Sequence, residues 1–208
     1  MLDSGEGRGV DELYETATNT SSMLVQEHRS GAADVIIAAG WSESRVGMAL
    51  LRLHSEWDGA AKPRRLTDDA IRALAATMPD AKGKPSMSKA MAEAAIWYAR
   101  ELRLLAQSLK SRPAVLAQLH AWALLKGIHA DNVGPALLHW MAPTCVVCDG
   151  HGFLKVADQP ALSANRCYRC KHGALGKEPL PKGAARVQDH MDYCCQVARE
   201  SLKKRLRP

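Results

Sequence analysis

The sequence predicts a mainly α-helical protein with one small cysteine-rich insertion. Helix-forming residues dominate, and the 208 residues include a single Phe and few β-branched runs, so extended sheets have little support. Apolar residues recur every three or four positions through most of residues 32–141. Two Cys-x-x-Cys pairs then follow, Cys145/Cys148 and Cys167/Cys170.

The first helices are predicted on either side of Gly40, because apolar residues at helical spacing precede and follow it. Residues 1–31, rich in Gly, Ser and Thr, are expected to form a flexible arm with a short helix near residues 10–16. Thr67 is expected to cap the next helix, whose first turn is acidic.

Ser86 or Ser88 is expected to cap a longer helix, and Pro113 suits the first turn of the helix after it. That helix should stop near Gly127, and a short helix should end before Pro143. Residues 183–206 again show helical spacing. Three tryptophans on the apolar faces are predicted to pack in the core: Trp97, Trp122 and Trp140.

The two cysteine pairs predict a structural Zn²⁺ site formed by Cys145, Cys148, Cys167 and Cys170. Two residues between cysteines let both sulfurs face one ion, and two pairs complete a tetrahedron. Each pair also runs on into glycines, Gly152 and Gly173, which can bend the backbone toward the sulfurs. Four thiolates leave no open position, so we expect the ion to shape the fold and not to activate water.

Two disulfides are the alternative for these four cysteines. Six cysteines without an apolar leader favour a reducing, cytoplasmic setting instead. The expected organisation is therefore a flexible arm at 1–31, a helical core at 32–143, and a zinc ribbon with a basic carboxyl-terminal helix at 144–208.

Positive charge is concentrated near the cysteines. Residues 145–208 carry twelve Lys and Arg against six acids. A phosphate-bearing partner follows from this balance, although a solvated basic face has the same composition. The predicted nucleic-acid-binding residues are Lys155, Arg166, Arg169, Lys171, Lys177, Lys182, Arg186, Arg199 and Lys203.

A helix-turn-helix is a second candidate for DNA binding, with Gly40 at its turn and Ser42–Leu53 as the reading helix. Ile36 stands where a small residue is usual, and Glu43 would lie near phosphates. A plain helical hairpin explains the segment equally well.

Four stretches resemble the lambda-type phage late-gene antitermination protein Q family. They are Asp34-Val-Ile-Ile-Ala-Ala-Gly-Trp-Ser-Glu-Ser-Arg-Val-Gly-Met-Ala-Leu50, Cys145-x-x-Cys148-x-Gly-x-Gly152, Cys167-x-x-Cys170-Lys171 and Pro181-Lys-Gly-Ala-Ala-Arg186. The resemblance covers roughly residues 32–190. After Met191 the chain departs from the family pattern, so residue assignments carry over only as far as Arg186.

The resemblance implies a regulator that binds double-stranded DNA at a late promoter. It further implies loading onto bacterial RNA polymerase with its sigma factor, terminator read-through, and a place in the bacterial host cytoplasm. In such proteins the DNA-binding unit is helix-turn-helix-like, which here implies a helix at 131–141, the inserted ribbon, and a reading helix within Lys182–Arg199.

The main alternative is a zinc-knuckle protein-binding adaptor or cochaperone-like module without DNA specificity. An enzyme is not expected, because the sequence has no Gly-rich phosphate loop, Ser/His/Asp arrangement or open metal site, and nothing points to a small-molecule substrate. Asp68 and Asp69 suit a helix amino terminus better than a catalytic pair. No apolar run approaches the roughly 18 residues needed to cross a bilayer, so no membrane partner is expected.

Overall fold

A computed structural model describes residues 9–19, 32–40, 42, 44–81, 83–155, 162–170, 176–181 and 183–206. The protein is mainly helical, as the sequence predicts. The helices are α1 (Val10–Asn19), α2 (Ala32–Gly40), α3 (Arg45–Gly59), α4 (Asp68–Thr77), α5 (Met87–Ser108), α6 (Arg112–Leu125), a 3₁₀ turn (Ala130–Asn132), α7 (Val133–Met141) and α8 (Ala185–Leu206).

Local capping signals account for several helix starts. The Thr67 hydroxyl accepts the backbone N–H of Ala70 at α4, and Ser86 does the same for Lys89 at α5. Pro113 lies in the first turn of α6, where its missing N–H leaves no helical bond unmade. These predicted starts are confirmed, and Ser86 is the cap of α5.

The amino-terminal region contains one described helix, α1. Residues 1–8 and 20–31 of the predicted arm lie outside the described residues. Helix α1 between them packs on α2, α3 and α8, with Tyr14 and Ala17 buried. The short helix predicted near residues 10–16 is therefore present as Val10–Asn19, and it packs on the core.

The core is organised by the crossing of α3 and α8. Leu50 and Leu53 of α3 and Met191 and Leu202 of α8 are fully buried in one continuous apolar cluster. At Gly47 the helices approach so closely that a Cβ would collide with the backbone of α8. Helix α8, which the sequence analysis grouped with the ribbon, thus shares the core of the preceding helices.

The cysteine-rich insertion lies between α7 and α8. It contains one antiparallel pair, β1 (Phe153–Lys155) and β2 (Leu162–Arg166), in which Phe153 faces Arg166. A separate bridge pairs Thr144 with Lys177. The insertion has its own small cluster of buried residues, consisting of the four cysteine side chains.

Two further expectations concern exposure. Trp97 was predicted to pack in the core, but it is 37% exposed on α5, whereas Trp122 and Trp140 pack partly against the core. Within the described ranges, no helix has both the length and the apolar character needed to cross a bilayer.

Candidate metal centre and its attachment to the helices

The four predicted ligands meet at one point. Cys145, Cys148, Cys167 and Cys170 are all buried, and their sulfurs lie within 4.8 Å of one another. Across the two pairs, the Cys145–Cys167 sulfurs are 3.9 Å apart and the Cys148–Cys170 sulfurs 3.7 Å apart. Metal–sulfur bonds of about 2.3 Å in a tetrahedron separate the sulfurs by about 3.8 Å. The spacing therefore suits one tetrahedral ion.

Gly152 connects the first knuckle to the second. Its N–H points at the sulfur of Cys148, 3.2 Å away, and its carbonyl accepts the N–H of Cys167 at 2.8 Å. Its φ of +78° is one that other residues rarely adopt. The glycine expected to turn the chain toward the sulfurs thus also joins the two halves of the site.

Gly176 makes the corresponding contacts in the second knuckle. Its N–H points at the sulfur of Cys170, 3.3 Å away, and its carbonyl accepts the N–H of Cys145 at 2.9 Å. The sequence predicts this turn at Gly173, which lies outside the described residues. Gly176 was missed because it follows its cysteine by six residues, whereas the first knuckle uses a spacing of four.

The two knuckles consequently form a pseudo-symmetric unit. We call residues 144–178, as far as the structure describes them, the metal unit. Each glycine contacts the second sulfur of its own pair and the first amide of the other pair. Hydrogen bonds to sulfur stabilise the thiolate form, which is the metal-binding form. Burial raises the pKa of the Cys145 thiol to about 12, so this sulfur in particular gains from a cation that stabilises its thiolate form. The donor set and its surroundings therefore fit a bound cation.

Arg65, in the loop between α3 and α4, attaches the first knuckle to the helices. Its guanidinium donates to the Val146 carbonyl at 2.6 Å and pairs with the Asp149 carboxylate at 2.9 Å. It also stacks over the ring of Tyr98 on α5, 4.3 Å from the ring centre. Asp149 has a φ of +53°, which places it in the tight turn after Cys148.

Glu178 attaches the second knuckle. Its carboxylate accepts the N–H of Val146 at 3.3 Å and pairs with the Arg169 guanidinium. Its backbone carbonyl lies 2.9 Å from Nε2 of His139 on α7, and its N–H donates to the Pro143 carbonyl at 2.7 Å. Neither Glu178 nor Arg65 carries a local sequence signal, because their partners are distant in the chain.

The predicted basic residues do not form one uniform cluster. Arg169 is held by Glu178, so its charge is balanced within the metal unit. Arg199 is half-buried beside a small cavity lined by α1 and α3. The exposed ones are Arg166, Lys177, Arg186 and Lys203. Lys171, Lys182 and the side chain of Lys155 lie outside the described residues.

Helix α8 presents one continuous exposed line. Arg186, Asp189, Tyr193 and Gln196 repeat at spacings of three and four, and all are exposed. The opposite side is buried from Val187 onward. The amino end of α8 lies close to the 3₁₀ turn before α7, because a Cβ on Gly183 would meet the Asn132 side chain.

No family profile, curated protein or solved structure matches this chain.

Proposed function

We propose that the protein is a zinc-stabilised DNA-binding transcription regulator, and specifically a phage or prophage late-gene antitermination factor. The observation that carries the proposal is the closed four-sulfur centre inserted between α7 and α8. A metal site without an open position serves structure, and here the structure it orders adjoins an exposed helix with polar side chains.

Zinc is the ion that this donor set favours. Four thiolates in a small tetrahedron suit Zn²⁺, whereas Mg²⁺ and Ca²⁺ prefer six or more oxygen ligands. When bound, the ion would neutralise the buried thiolates and hold the two knuckles together. The surrounding N–H donors and the Arg65 and Glu178 contacts then fix the metal unit on the helices.

Helix α8 is better placed than α3 to read DNA. Seven of the fifteen residues of α3 are buried, and the Arg52 on its outer side pairs with Glu56. Glu56 in turn accepts the N–H and hydroxyl of Ser111 at the start of α6. These contacts engage Arg52, one of the two arginines of the Ser42–Leu53 candidate, and leave Arg45 exposed.

The exposed line of α8 offers the side-chain types that distinguish base pairs in the major groove. Arg186 can pair with guanine, Gln196 with adenine, and Asp189 can accept from cytosine. A helix fits the major groove, which is about 12 Å wide, and its amino terminus attracts phosphate. In this proposal α7 and α8 are the helix-turn-helix-like pair, with the metal unit between them.

The antitermination role rests on the family resemblance of residues 32–190, together with the basic carboxyl-terminal third. In this role the protein binds duplex DNA at a late promoter in the bacterial cytoplasm. It then engages the sigma-containing RNA polymerase through a different surface. Nothing in the proposal calls for catalysis by the protein itself.

A DNA-binding measurement tests the proposal. The zinc-loaded chain should bind a late-promoter duplex more tightly than a scrambled duplex in fluorescence anisotropy. Its log affinity should fall with log salt by about 0.9 per phosphate contacted. Arg186→Ala should weaken binding, whereas Arg64→Ala, which removes an exposed arginine from the loop between α3 and α4, should not.

Absent or salt-independent DNA binding would overturn the regulator assignment. Capture of RNA polymerase without DNA, combined with no DNA binding, would instead support the zinc-knuckle adaptor. The protein could instead bind DNA specifically but give no read-through in a transcription assay that contains a terminator. That result would support the DNA-binding assignment and overturn the antitermination role.

A further inference from the structure

A second surface, separate from the exposed line of α8, combines an apolar cavity with unpaired cations. The cavity, of about 420 Å³, lies between α5, α7 and the metal unit. Apolar side chains line it, among them Leu102, Leu138 and Met141. The charged residues that line it include Arg103 and Arg112.

An exposed apolar stripe also lies on α5, the helix that lines one side of this cavity. Ile96 and Leu104 are 62% and 47% exposed, and Trp97 is partly exposed beside them. Arg103 and Gln107 belong to the same side of α5 and also line the cavity. Stripe and cavity therefore share helix α5, and we call the two together the α5 groove.

The cavity end of the α5 groove carries more positive than negative charge, whereas the exposed Glu93 lies one turn before Ile96 at the other end of the stripe. Arg100, Arg103 and Arg112 have no ion-pair partner among the described residues. The remaining pair at the cavity, Arg169 and Glu178, neutralises itself. Exposed aromatic and arginine side chains next to a pocket are typical of residues that dominate protein–protein binding.

We propose that the α5 groove binds an acidic amphipathic helix of a partner protein. The apolar face of such a helix would fill the cavity and cover the stripe, and its carboxylates would pair with the arginines. A nucleic-acid backbone would satisfy the cations, but it has no apolar side chains to place against Leu102 or Met141. The inference goes beyond the proposed DNA binding and does not depend on it.

A designed peptide can serve as the probe. We would use a fluorescein-labelled, amidated 18-residue helix with leucine on one face and glutamate elsewhere, with the full zinc-loaded chain as receptor. Two controls are the same peptide with lysine in place of glutamate, and a scrambled peptide of identical composition. The acidic amphipathic helix should bind at least tenfold more tightly than either control.

Charge reversal then locates the site. The double variant Arg103→Glu/Arg112→Glu should weaken peptide binding at least tenfold. The double variant Lys204→Glu/Arg205→Glu, which makes the same charge change on exposed residues of α8, should change it less than twofold. Equal losses in both variants would show a long-range charge effect and overturn the proposal, as would equal binding of the scrambled peptide. Circular dichroism checks that each variant is folded.

The test separates this inference from the proposed function. Displacement of the bound peptide by a single-stranded oligonucleotide, with the same loss of oligonucleotide binding in the Arg103→Glu/Arg112→Glu variant, would assign the groove to nucleic acid and overturn the proposal. Loss of promoter binding in Arg186→Ala with unchanged peptide binding would support two independent surfaces. Failure of the peptide to bind would overturn the proposal that the α5 groove is a binding site, and it would leave the DNA-binding proposal unaffected.

Discussion

The helical body and the metal unit are stabilised in opposite ways. The body buries a continuous apolar cluster that runs from Tyr14 on α1 to Leu202 on α8. Among its described residues, the metal unit buries the four cysteine side chains with Val147 and Leu154 partly packed against them, and Val146, which packs in the apolar cluster of the body. The body can fold by removing apolar surface from water, whereas the metal unit has almost no such surface to remove.

This difference determines how the stability of each part should respond to substitutions and to metal removal. The body should tolerate loss of a single contact but not a change in the spacing of its helices. The metal unit should depend on one ion and on a few backbone hydrogen bonds. Arg65, Glu178 and His139 are the residues that join them, so they decide how far a disturbance in one part reaches the other.

Loss of the ion should have the largest effect. Structural zinc contributes on the order of 10 kcal/mol to small zinc domains, so chelation or Cys148→Ser should unfold the metal unit. Most helical signal should survive, because α8 belongs to the core of the body. Hydrogen exchange should show loss of protection at residues 144–155 and 162–170 with retained protection in α3 and α8.

Cys195→Ala is the matched control, because Cys195 is equally buried but lies outside the sulfur cluster. It should keep one metal per chain by elemental analysis. Complete loss of helical circular dichroism on chelation would contradict the division into two parts.

A methyl group at the crossing of α3 and α8 should have the next largest effect. In Gly47→Ala the new Cβ would lie 2.8 Å from the Cβ of Ala198 and closer still to the Cys194 carbonyl. Since overpacking costs about 1–3 kcal/mol, the urea midpoint should fall clearly. Gly59→Ala, in the same helix with nothing within 4 Å, should be neutral or slightly stabilising.

Gly176→Ala, compared with Gly127→Ala, should distinguish backbone strain from steric collision in the metal unit. Its φ of +82° and its closeness to the Gly150 carbonyl both oppose a side chain. Gly127→Ala carries the strain alone, with a φ of +63° and open space, and should cost about 1 kcal/mol. Gly176→Ala should lower the free energy of unfolding by more than Gly127→Ala does. It should also weaken metal affinity, whereas Gly127→Ala should not. Competition with a zinc chromophore measures the affinity.

Removing the Arg65 attachment should have a smaller effect. Arg65→Ala loses one hydrogen bond, one partly exposed ion pair and one cation–π contact, together about 1–2 kcal/mol. Arg65→Lys should recover only part of this free energy, because an ammonium lacks the planar fork with which a guanidinium donates to two acceptors while it stacks on an aromatic ring. Arg64→Ala is the neighbouring control. Equal urea midpoints for Arg64→Ala and Arg65→Ala would show that the contacts of Arg65 do not couple the helical body to the metal unit.

The sequence predicts the local features of both parts but not their connection. Cysteine spacing, the Thr67 and Ser86 caps and the Pro113 start act within a few residues, so they are visible in the chain. Arg65 contacts Asp149 across 84 positions, and no periodicity marks such a pair. Trp97 has helical spacing like a core residue, yet it is exposed because α5 lies at the edge of the body.

The pH dependence of the body should show the smallest effect. His190 stacks on Trp122 with ring centres 3.9 Å apart, and burial, followed by repulsion from Lys126, lowers its pKa below the usual value. The unfolded chain therefore binds this proton more readily, so stability should be complete above about pH 6.5 and fall as pH drops toward the folded pKa. His190→Gln should flatten this slope in urea titrations from pH 7.5 to 5, and Lys126→Gln should reduce it partly. An unchanged slope in His190→Gln would assign the acid sensitivity to other groups, and retention of metal must be verified at each pH so that the two parts are not confused.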